Sequence, residues 1–591
     1  MRRILERTGW ASLATFFSAA VMATGISFVS APAQAAFELP EGEKITNVPA
    51  IPRAIPQKEA YELYDPRIGK NFDIKNFWIR ADLRVRPEMR NGVCFGGGNP
   101  AGGACNQTNT TTVAGTGNRG ANNKAASDQF VQQMTRLGIG YDLSPDVNFY
   151  MELIQSSTWG TNGQAGTGGG NVDALNHNGS TGCTGTNGGG GNCSTLGVRA
   201  AYMLIRNFAG VQGLSVKAGR QYVVFGSHSL FGHFDWANTG FSHDGVMLQY
   251  STKAWDTWAG WFRTSEGDMQ QGAATGSITG NTTGGFAGSQ NGGSDSDMFI
   301  FYNQIKSVPG FLIEPYFVYY KNNNPNTSGA AAAAGDITNG NEAQGLGTAK
   351  HSNQTRYMIG NRIEMRKGNF DAQNELAWQF GQMGDSMSGN SGQVARGATG
   401  DCGAGQKCLH INAWATRNWL GYTLYQNAWK PRLAVNFDYA SGDGRANCTI
   451  NGGRQLCSSA NTFENFYPTN HIHMGYMDVQ AWKNMMSPSA NFQARPTKDD
   501  HIEFWYTNLN LASGQDNWYR GSQGVYVFTK ADNTKKHIGD ELDATWTHMF
   551  MDGKVAFQAT YGYLWAGGYI QHNMGSSANQ NWAYAQLWIN F

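Results

Sequence analysis

The sequence predicts an all-β protein: a transmembrane antiparallel β-barrel of about 18 strands, with long extracellular loops and short periplasmic turns. Three observations lead to this prediction. Segment 581–591 alternates between two kinds of side chain, and short turns alternate with long Gly-rich connections along the chain. After residue 35, no stretch approaches the roughly 20 apolar residues that a membrane helix needs. Any membrane crossing beyond that point must therefore use strands.

The strand pattern is clearest at the carboxy terminus. Every second residue counted back from the end is apolar, namely Phe591, Ile589, Leu587, Ala585 and Ala583. Strand side chains alternate between faces, so one face is apolar and the other is polar and aromatic. A closing strand that ends on an aromatic residue resembles the assembly signal of bacterial outer-membrane barrels, which implies that Phe591 is needed by the barrel-assembly machinery. The terminal strand of a soluble sandwich is the alternative.

Residues 1–35 are predicted to be a signal peptide. A basic start is followed by an apolar run over 10–29, and Ala33-Gln34-Ala35 offers a small-residue cleavage site. An uncleaved anchor is the alternative, but Ser, Thr and Gly interrupt the run. Residues 36–70 are rich in proline and are predicted to be a periplasmic tail, with the barrel over 71–591.

Composition agrees with a barrel that has an apolar outside and a wet inside. Aromatic residues make up 12% of the chain, Gly is abundant and the net charge is +1. The mean hydropathy is negative, as a barrel with two different faces predicts. A chain so close to neutrality is not expected to bind nucleic acid.

Two kinds of connection alternate along the chain. Short turns are predicted at 144–146, 209–213, 252–253, 308–310, 368–369, 496–497 and 552–553. Long loops rich in Gly, Asn, Ser and Thr are predicted at 91–126, 159–194, 226–242, 266–296, 322–353, 385–407, 442–483, 512–536 and 568–580. Strict alternation places all the long loops at one mouth of the barrel.

The eight cysteines fall in close pairs within four of these loops: Cys94 with Cys105, Cys183 with Cys193, Cys402 with Cys408, and Cys448 with Cys457. An exported chain meets an oxidising compartment, so local disulfides are predicted, with no cysteine in a strand. A metal site is the alternative, but there is no Cys-x-x-Cys and no consistent His partner. Without Cys-x-x-Cys-His, covalent haem is not expected either.

Charges are predicted to line the inside of the barrel. In segment 77–90 one face is apolar, and the other carries Trp78, Arg80, Asp82, Arg84, Arg86, Glu88 and Arg90. Segment 355–366 repeats this pattern with Arg356, Arg362, Glu364 and Arg366. Other strands add Arg136, Asp142, Glu152, Arg432, Asp438, Glu503, Glu541 and Asp543. Charges facing lipid at the bilayer midplane cost several kcal/mol, so these faces should point inward.

The inward arginines have two interpretations. A guanidinium always carries charge and suits carboxylate or phosphate, and rows of Arg separated by carboxylates would let an anion bind weakly and leave. Alternatively, these charges only pair across strands and stabilise the wall. The clustered row from Arg80 to Arg90 favours selectivity.

Several motifs follow one another along the chain: Gly219-Arg-Gln221, Asp235-Trp236, Tyr439-Ala-Ser-Gly-Asp443, Tyr467-Pro-Thr-Asn-His471, Asp516-Asn-Trp-Tyr519 and Gly539-Asp-Glu-Leu-Asp543. In this order, over 75–591, they resemble the alginate export family of outer-membrane porins. The resemblance implies a monomeric 18-stranded barrel with an electropositive, Arg-rich lumen for a polyuronate. The cysteine-containing loops and the inserts at 159–194 and 322–353 depart from the family pattern.

The resulting hypothesis is an outer-membrane porin that passes an acidic, alginate-like polysaccharide or smaller organic anions. A general or differently selective porin, and a plugged surface barrel acting as an adhesin, are the alternatives. An enzyme is not expected, because no nucleophile elbow or HExxH motif is present, and His471, His473, Asp478 and Ser487 are common residues in a long segment. No catalytic residue, metal or cofactor is predicted. The expected partners are outer-membrane lipid, the assembly machinery and anions.

Overall fold

The fold is that of a computed structural model, which describes residues 76–93, 126–159, 197–236, 240–265, 296–322, 354–384, 408–444, 459–519, 521, 525–527, 529, 532–574 and 578–590. The predicted signal peptide, the proline-rich tail and Phe591 lie outside these residues.

The predicted disulfides also fall outside the described part of the chain. Cys408 is described only in its main chain, and its side chain is not. The other seven cysteines lie outside the described residues altogether: Cys94, Cys105, Cys183, Cys193, Cys402, Cys448 and Cys457. None of the four pairings is therefore tested, and the bonds from Cys94 to Cys105, from Cys183 to Cys193, from Cys402 to Cys408 and from Cys448 to Cys457 stay predictions.

Eighteen long strands form the wall, each with side chains that alternate between two faces. Their bounds are β1 Phe77–Val93, β2 Ala126–Ser144, β3 Val147–Thr158, β4 Gly197–Ile205, β5 Leu214–Gln221, β6 His243–Ser251, β7 Trp255–Ser265, β8 Ser296–Ile305, β9 Phe311–Asn322, β10 Gln354–Lys367, β11 Phe370–Gly384, β12 Cys408–Thr423, β13 Arg432–Ala440, β14 Met485–Ala494, β15 Asp500–Asn510, β16 His537–Phe550, β17 Val555–Ala566 and β18 Gln580–Asn590.

The strands close into a barrel. Each long strand pairs antiparallel with the next one along the chain, and β18 pairs with β1, for example through Val85 and Leu587. The predicted all-β class and strand number are confirmed. A two-residue strand, Ser459–Ala460, lies parallel to β12, and Trp518–Tyr519 pairs with Val525–Val527 outside the barrel sheet.

Helical structure is sparse in the described residues. One short helix, α1 Gly568–Met574, lies between β17 and β18, and single 3-10 turns occupy Phe208–Gly210, Asn470–Ile472 and Met551–Gly553. No helix in this described part of the chain is long and apolar enough to cross a membrane.

The short turns lie where the sequence predicts them. All seven predicted turns lie between strands at one end of the barrel, which we call the short-turn mouth. The turn at 424–431, between β12 and β13, was not predicted. The other connections lead to the opposite end, the long-loop mouth. One correction concerns Cys408, which was placed in a loop but is the first residue of β12.

The two faces of the strands differ as the sequence predicts. On β1, Ile79 and Pro87 are exposed on the outside, whereas Asp82, Arg84 and Glu88 are buried on the inside. Buried polar side chains are tolerated here because they bind one another and chain segments that fold into the lumen.

Two of the long connections fold into the lumen rather than away from it. We call residues 222–236 the first inner segment and residues 461–484 the second inner segment. An apolar cluster joins them, in which Phe225 and Phe231 pack with Phe463, Phe466 and Trp482 against wall residues. The core of the molecule therefore sits inside the barrel.

Candidate transport path in the barrel lumen

The lumen-facing arginines of β1, β2 and β4 form one charged surface, the basic wall. It consists of Arg80, Arg84, Arg86 and Arg90 on β1, Arg136 on β2 and Arg199 on β4. Asp82 lies between Arg80 and Arg136, at 3.1 Å from a nitrogen of each. The predicted row on β1 thus faces the lumen, but much of it is already paired with carboxylates.

The basic wall binds the first inner segment through Asp235. The carboxylate of Asp235 lies 2.8 Å from Nη1 of Arg136 and 3.0 Å from Nη2 of Arg199. Arg84 donates to the main-chain oxygens of Asp235 and Trp236, the latter at 3.2 Å. Burial alone would raise the pKa of Asp235, but Arg136 outweighs it, with His233 and Arg199 adding to the effect, and holds that pKa well below its usual range.

Arg86 extends this contact to both inner segments. It pairs with Glu88 at 2.7 Å, donates to the main-chain oxygen of Trp236 at 2.8 Å, and stacks over the Trp236 ring at 3.6 Å. The other side of Trp236 stacks on His471, with ring centroids 3.7 Å apart. His471 in turn lies 2.9 Å from the carboxylate of Asp478. This stack connects the basic wall with the second inner segment.

The remaining predicted lumen residues on β1–β3 are Glu88, Arg90 and Glu152. Glu88 accepts hydrogen bonds from Arg90 at 2.9 Å and from the indole of Trp582 at 3.2 Å. Glu152 accepts from the hydroxyls of Tyr150 and Tyr222, the former at 2.7 Å. Burial and the neighbouring Glu152 raise the pKa of Tyr222 well above its usual value, so this hydroxyl stays a donor.

The second predicted row lies on the opposite side of the barrel, because β10 is separated from β1 by the same number of strands in both directions. Arg362 pairs with Glu314 and with Glu364, the latter at 2.6 Å. Arg366 lies 3.8 Å from Glu364, and Arg356 donates to Gln379 at 2.7 Å. The two rows therefore do not form one surface.

The first inner segment spans the space between these sides. Its Asp235 end binds β1, β2 and β4, whereas its middle reaches β11 and β12. There, Gln373 donates to the hydroxyl of Ser227 at 3.3 Å, and Arg417 donates to Ser229 at 2.6 Å. Asp235, Arg199 and Arg417 were not predicted as site residues, and the Asp-Trp motif at 235–236 was the available signal for the first of them.

A second surface, the acidic wall, consists of Glu503 on β15 with Glu541 and Asp543 on β16. Glu503 accepts from the Tyr476 hydroxyl at 2.7 Å, and Asp543 and Glu541 accept from the main-chain N–H groups of Tyr476 and Met477 at 3.1 and 2.9 Å. The Tyr476 hydroxyl and the two N–H groups are neutral donors, and Glu541 and Asp543 also share a hydrogen bond with each other. Gly475 has φ +85°, and a Cβ there would collide with the Glu541 carboxylate.

A closed barrel of this size with a polar, charged interior defines the molecule as an outer-membrane porin of Gram-negative type. The family model described as "Alginate export" matches residues 288–584. The chain belongs to the alginate export family, and the predicted family and location are confirmed. Family and fold favour a channel over an enzyme.

Solved structures of other porins resemble the chain weakly. For OccAB2 of Acinetobacter baumannii, the identity is 8% and the TM-score 0.46, with 88% of this chain and 98% of that one covered. For OccK5 (OpdH) of Pseudomonas aeruginosa, the values are 9% and 0.42, with 87% and 98% covered. Likenesses at this level say nothing about what this chain transports. No curated protein matches it.

Proposed function

We propose that this porin gives passive, anion-selective passage to an acidic polysaccharide of the alginate type, or to smaller organic anions. The observation that supports the proposal most directly is the position of Asp235. Arg136 and Arg199 bind its carboxylate while Arg84 binds the adjoining main chain. A surface that holds one carboxylate in this way has the chemistry to bind the carboxylate of a uronate.

The charge balance of the basic wall supports the same conclusion. Its six arginines face the carboxylates of Asp82, Glu88, Glu152 and Asp235, which leaves a local excess of positive charge. Fields inside a channel are screened less than fields at an open surface, so this excess can act on an ion although the whole chain is nearly neutral. The intervening carboxylates keep each site weak enough for an anion to leave.

Replacing Arg80, Arg84 and Arg86 together with Gln tests this mechanism. The altered barrel should assemble, lose its anion preference in a salt gradient and bind a uronate oligomer more weakly. A matched control replaces three exposed lysines near the short-turn mouth, Lys367, Lys430 and Lys498, with Gln. If the reversal potential of the arginine variant equalled that of the parent, the arginines would be structural pairs only.

One observation favours the plugged surface barrel as a second candidate. The apolar cluster of Phe225, Phe231, Phe463, Phe466 and Trp482 fills part of the lumen between the inner segments and the wall. A purified barrel that passes no current in planar bilayers, at any voltage or with any added anion, would support this alternative and defeat the first. For the conducting form we expect a monomer inserted by the barrel-assembly machinery.

A further inference from the structure

A row of charged side chains crosses the outer face of β5–β9, next to the long-loop mouth. Each member lies directly opposite the next in the strand register: Arg220 with Asp244, Asp244 with Arg263, Arg263 with Asp297, and Asp297 with Lys321. We call these five residues the rim row. They alternate in sign, and cations occupy both ends and the middle.

The rim row faces away from the lumen. Val246 and Leu248 on β6, and Phe299 and Phe301 on β8, share its face and are exposed. Arg220 donates to both carboxylate oxygens of Asp244, at 2.8 and 2.7 Å, and Arg263 lies 2.9 Å from Asp297. The side chains of these two pairs keep 22–47% of their accessible surface. The pairs are therefore held in place and still open to an external partner.

A band of aromatic rings lies beside the rim row, on its short-turn side. Two positions nearer the short-turn mouth, the same outer face carries Trp261, Phe299, Tyr319, Tyr357 and Phe380. Neighbouring rings lie 5.3–5.8 Å apart along Phe299, Tyr319, Tyr357 and Phe380. Such a girdle marks the boundary between hydrocarbon and headgroups. The rim row runs parallel to these rings, about 7 Å farther along the strands on the headgroup side.

The row occupies only one side of the barrel. On the described strands of the other side, the outer positions near this mouth carry no matching row of cations: Asn91 on β1 and Asn581 on β18 lie directly opposite each other and are uncharged, and Asp540 on β16 is acidic. A general need for polarity at the headgroup level is met there without cations. The cations on β5–β9 therefore call for a specific partner.

We propose that the rim row binds the phosphate groups of a phosphorylated lipid in the membrane around the barrel. A guanidinium matches phosphate with paired N–H donors, and an ammonium binds it as a point charge. Asp244 and Asp297 hold the guanidinium groups in position, so less side-chain freedom is lost when the lipid binds. Three cations spaced across five strands, with one charge in excess, suit a headgroup that carries more than one phosphate.

The test compares lipids by native mass spectrometry of the full barrel released from detergent. The probes are a diphosphorylated disaccharide lipid, its monophosphorylated form and phosphatidylcholine. The barrel should retain the diphosphorylated lipid most strongly. Replacing Arg220, Arg263 and Lys321 together with Gln should weaken that retention by at least about tenfold, since each cation near a charged surface contributes measurably. Conductance in phosphatidylcholine bilayers should not change.

Two controls make the result decisive. Replacing Lys367, Lys430 and Lys498, at the other mouth, with Gln should leave lipid retention unchanged. Replacing Asp244 and Asp297 with Asn should leave it unchanged or strengthen it. The proposal would be overturned if the barrel retained all three lipids equally. It would also be overturned if the parent and the arginine–lysine variant retained the diphosphorylated lipid equally. The proposal would also be overturned if the aspartate variant lost lipid binding and a metal chelator caused the same loss in the parent. A divalent cation bridging carboxylate and phosphate would then hold the lipid.

Discussion

The basic wall and the acidic wall solve the same problem with opposite chemistry. Both are buried strand surfaces that hold an inner segment in the lumen. The basic wall binds acceptors, namely the carboxylate of Asp235 and main-chain oxygens. The acidic wall binds donors, namely the main-chain N–H groups of Tyr476 and Met477 and the Tyr476 hydroxyl. Each inner segment thus presents to its wall the polarity that the wall lacks.

The difference predicts an order of effects. At the basic wall a charge binds a charge, and removing one member of a buried ion pair typically costs about 3–5 kcal/mol. At the acidic wall a carboxylate binds neutral donors, and losing one buried partner costs about 1–3 kcal/mol. Ion selectivity should follow another rule than stability. The two walls contribute fields of opposite sign to the same lumen, so removing charge from one wall should shift selectivity in the opposite direction to removing charge from the other.

The largest effect is expected from Asp235→Asn. The amide keeps the shape of the side chain but removes the negative charge that Arg136 and Arg199 share. The first inner segment should lose about 3–5 kcal/mol of its attachment to the wall. Single-channel conductance should rise, and amide hydrogen exchange in 222–236 should accelerate by at least about a hundredfold.

The matched control is Asp552→Asn, an exposed turn residue at the short-turn mouth with φ +54°, which Asn tolerates well. It should change neither conductance nor exchange. Unchanged exchange in the Asp235 variant would mean that the apolar cluster, rather than the ion pairs, holds the first inner segment.

The second effect is a shift of selectivity at the acidic wall. Replacing Glu541 with Gln and Asp543 with Asn removes the negative charge of this hydrogen-bonded carboxylate pair, while the amide oxygens can still accept the N–H groups of Met477 and Tyr476. The reversal potential should move toward stronger anion preference, opposite in sign to the effect of removing arginines. Asp532→Asn together with Asp552→Asn removes two exposed charges as a control. An unchanged reversal potential would show that the acidic wall does not act on the ion path.

The third effect concerns the stack that joins the walls. Trp236→Ala removes the ring that lies between Arg86 and His471. Stacking and cation–π contacts of this kind are worth about 1–3 kcal/mol together. Hydrogen exchange should accelerate in both inner segments, because the ring contacts one and belongs to the other. As a control, Trp429→Ala in the exposed turn between β12 and β13 should leave hydrogen exchange in both inner segments unchanged. Faster exchange in 222–236 alone would break the supposed link.

Much of the barrel could be predicted because strand periodicity is local. Alternation of apolar and charged residues on β1 and β10 identified the lumen face, and Gly- and Pro-containing turns separated the strands. The turn at 424–431 was missed because it contains Leu424 and Trp429, whose exposed apolar side chains continue the strand pattern through the turn. Cys408 was misplaced by one residue, at a boundary that sequence does not define.

The inner segments could not be predicted, for a physical reason. Residues 226–242 resemble an exposed loop in composition, yet Ser227, Ser229 and Asp235 are buried. Their burial depends on partners far away in sequence, such as Arg417 for Ser229. No local pattern encodes such a contact. The sequence therefore identified the charged wall residues, but not that many of them bind the protein itself.

The smallest effect is a pH dependence in the connection between β15 and β16. Asp516 accepts hydrogen bonds from the hydroxyls of Thr462 and Tyr519 and from the main-chain N–H of Asp443, at 2.5, 3.0 and 2.8 Å. Burial raises the pKa of Asp516 to about 6 in spite of these donors, and the nearby Asp443 adds to the rise. Asp516 therefore binds a proton more tightly when the segment is packed than when the segment is released into solvent.

The sign of the effect follows from that difference. The proton's contribution to stability is fully present below the ordinary Asp pKa of 3.8 and is lost as the pH rises through about 6. Packing of residues 511–519 should weaken by about 1.4 kcal/mol between pH 5 and pH 7.5, which is roughly half of the full effect. Hydrogen exchange, corrected for its intrinsic pH dependence, measures this. In Asp516→Asn the dependence should vanish, since an amide does not titrate, whereas Asp532→Asn should retain it. A dependence that persisted in the Asp516 variant would assign the titration to another group.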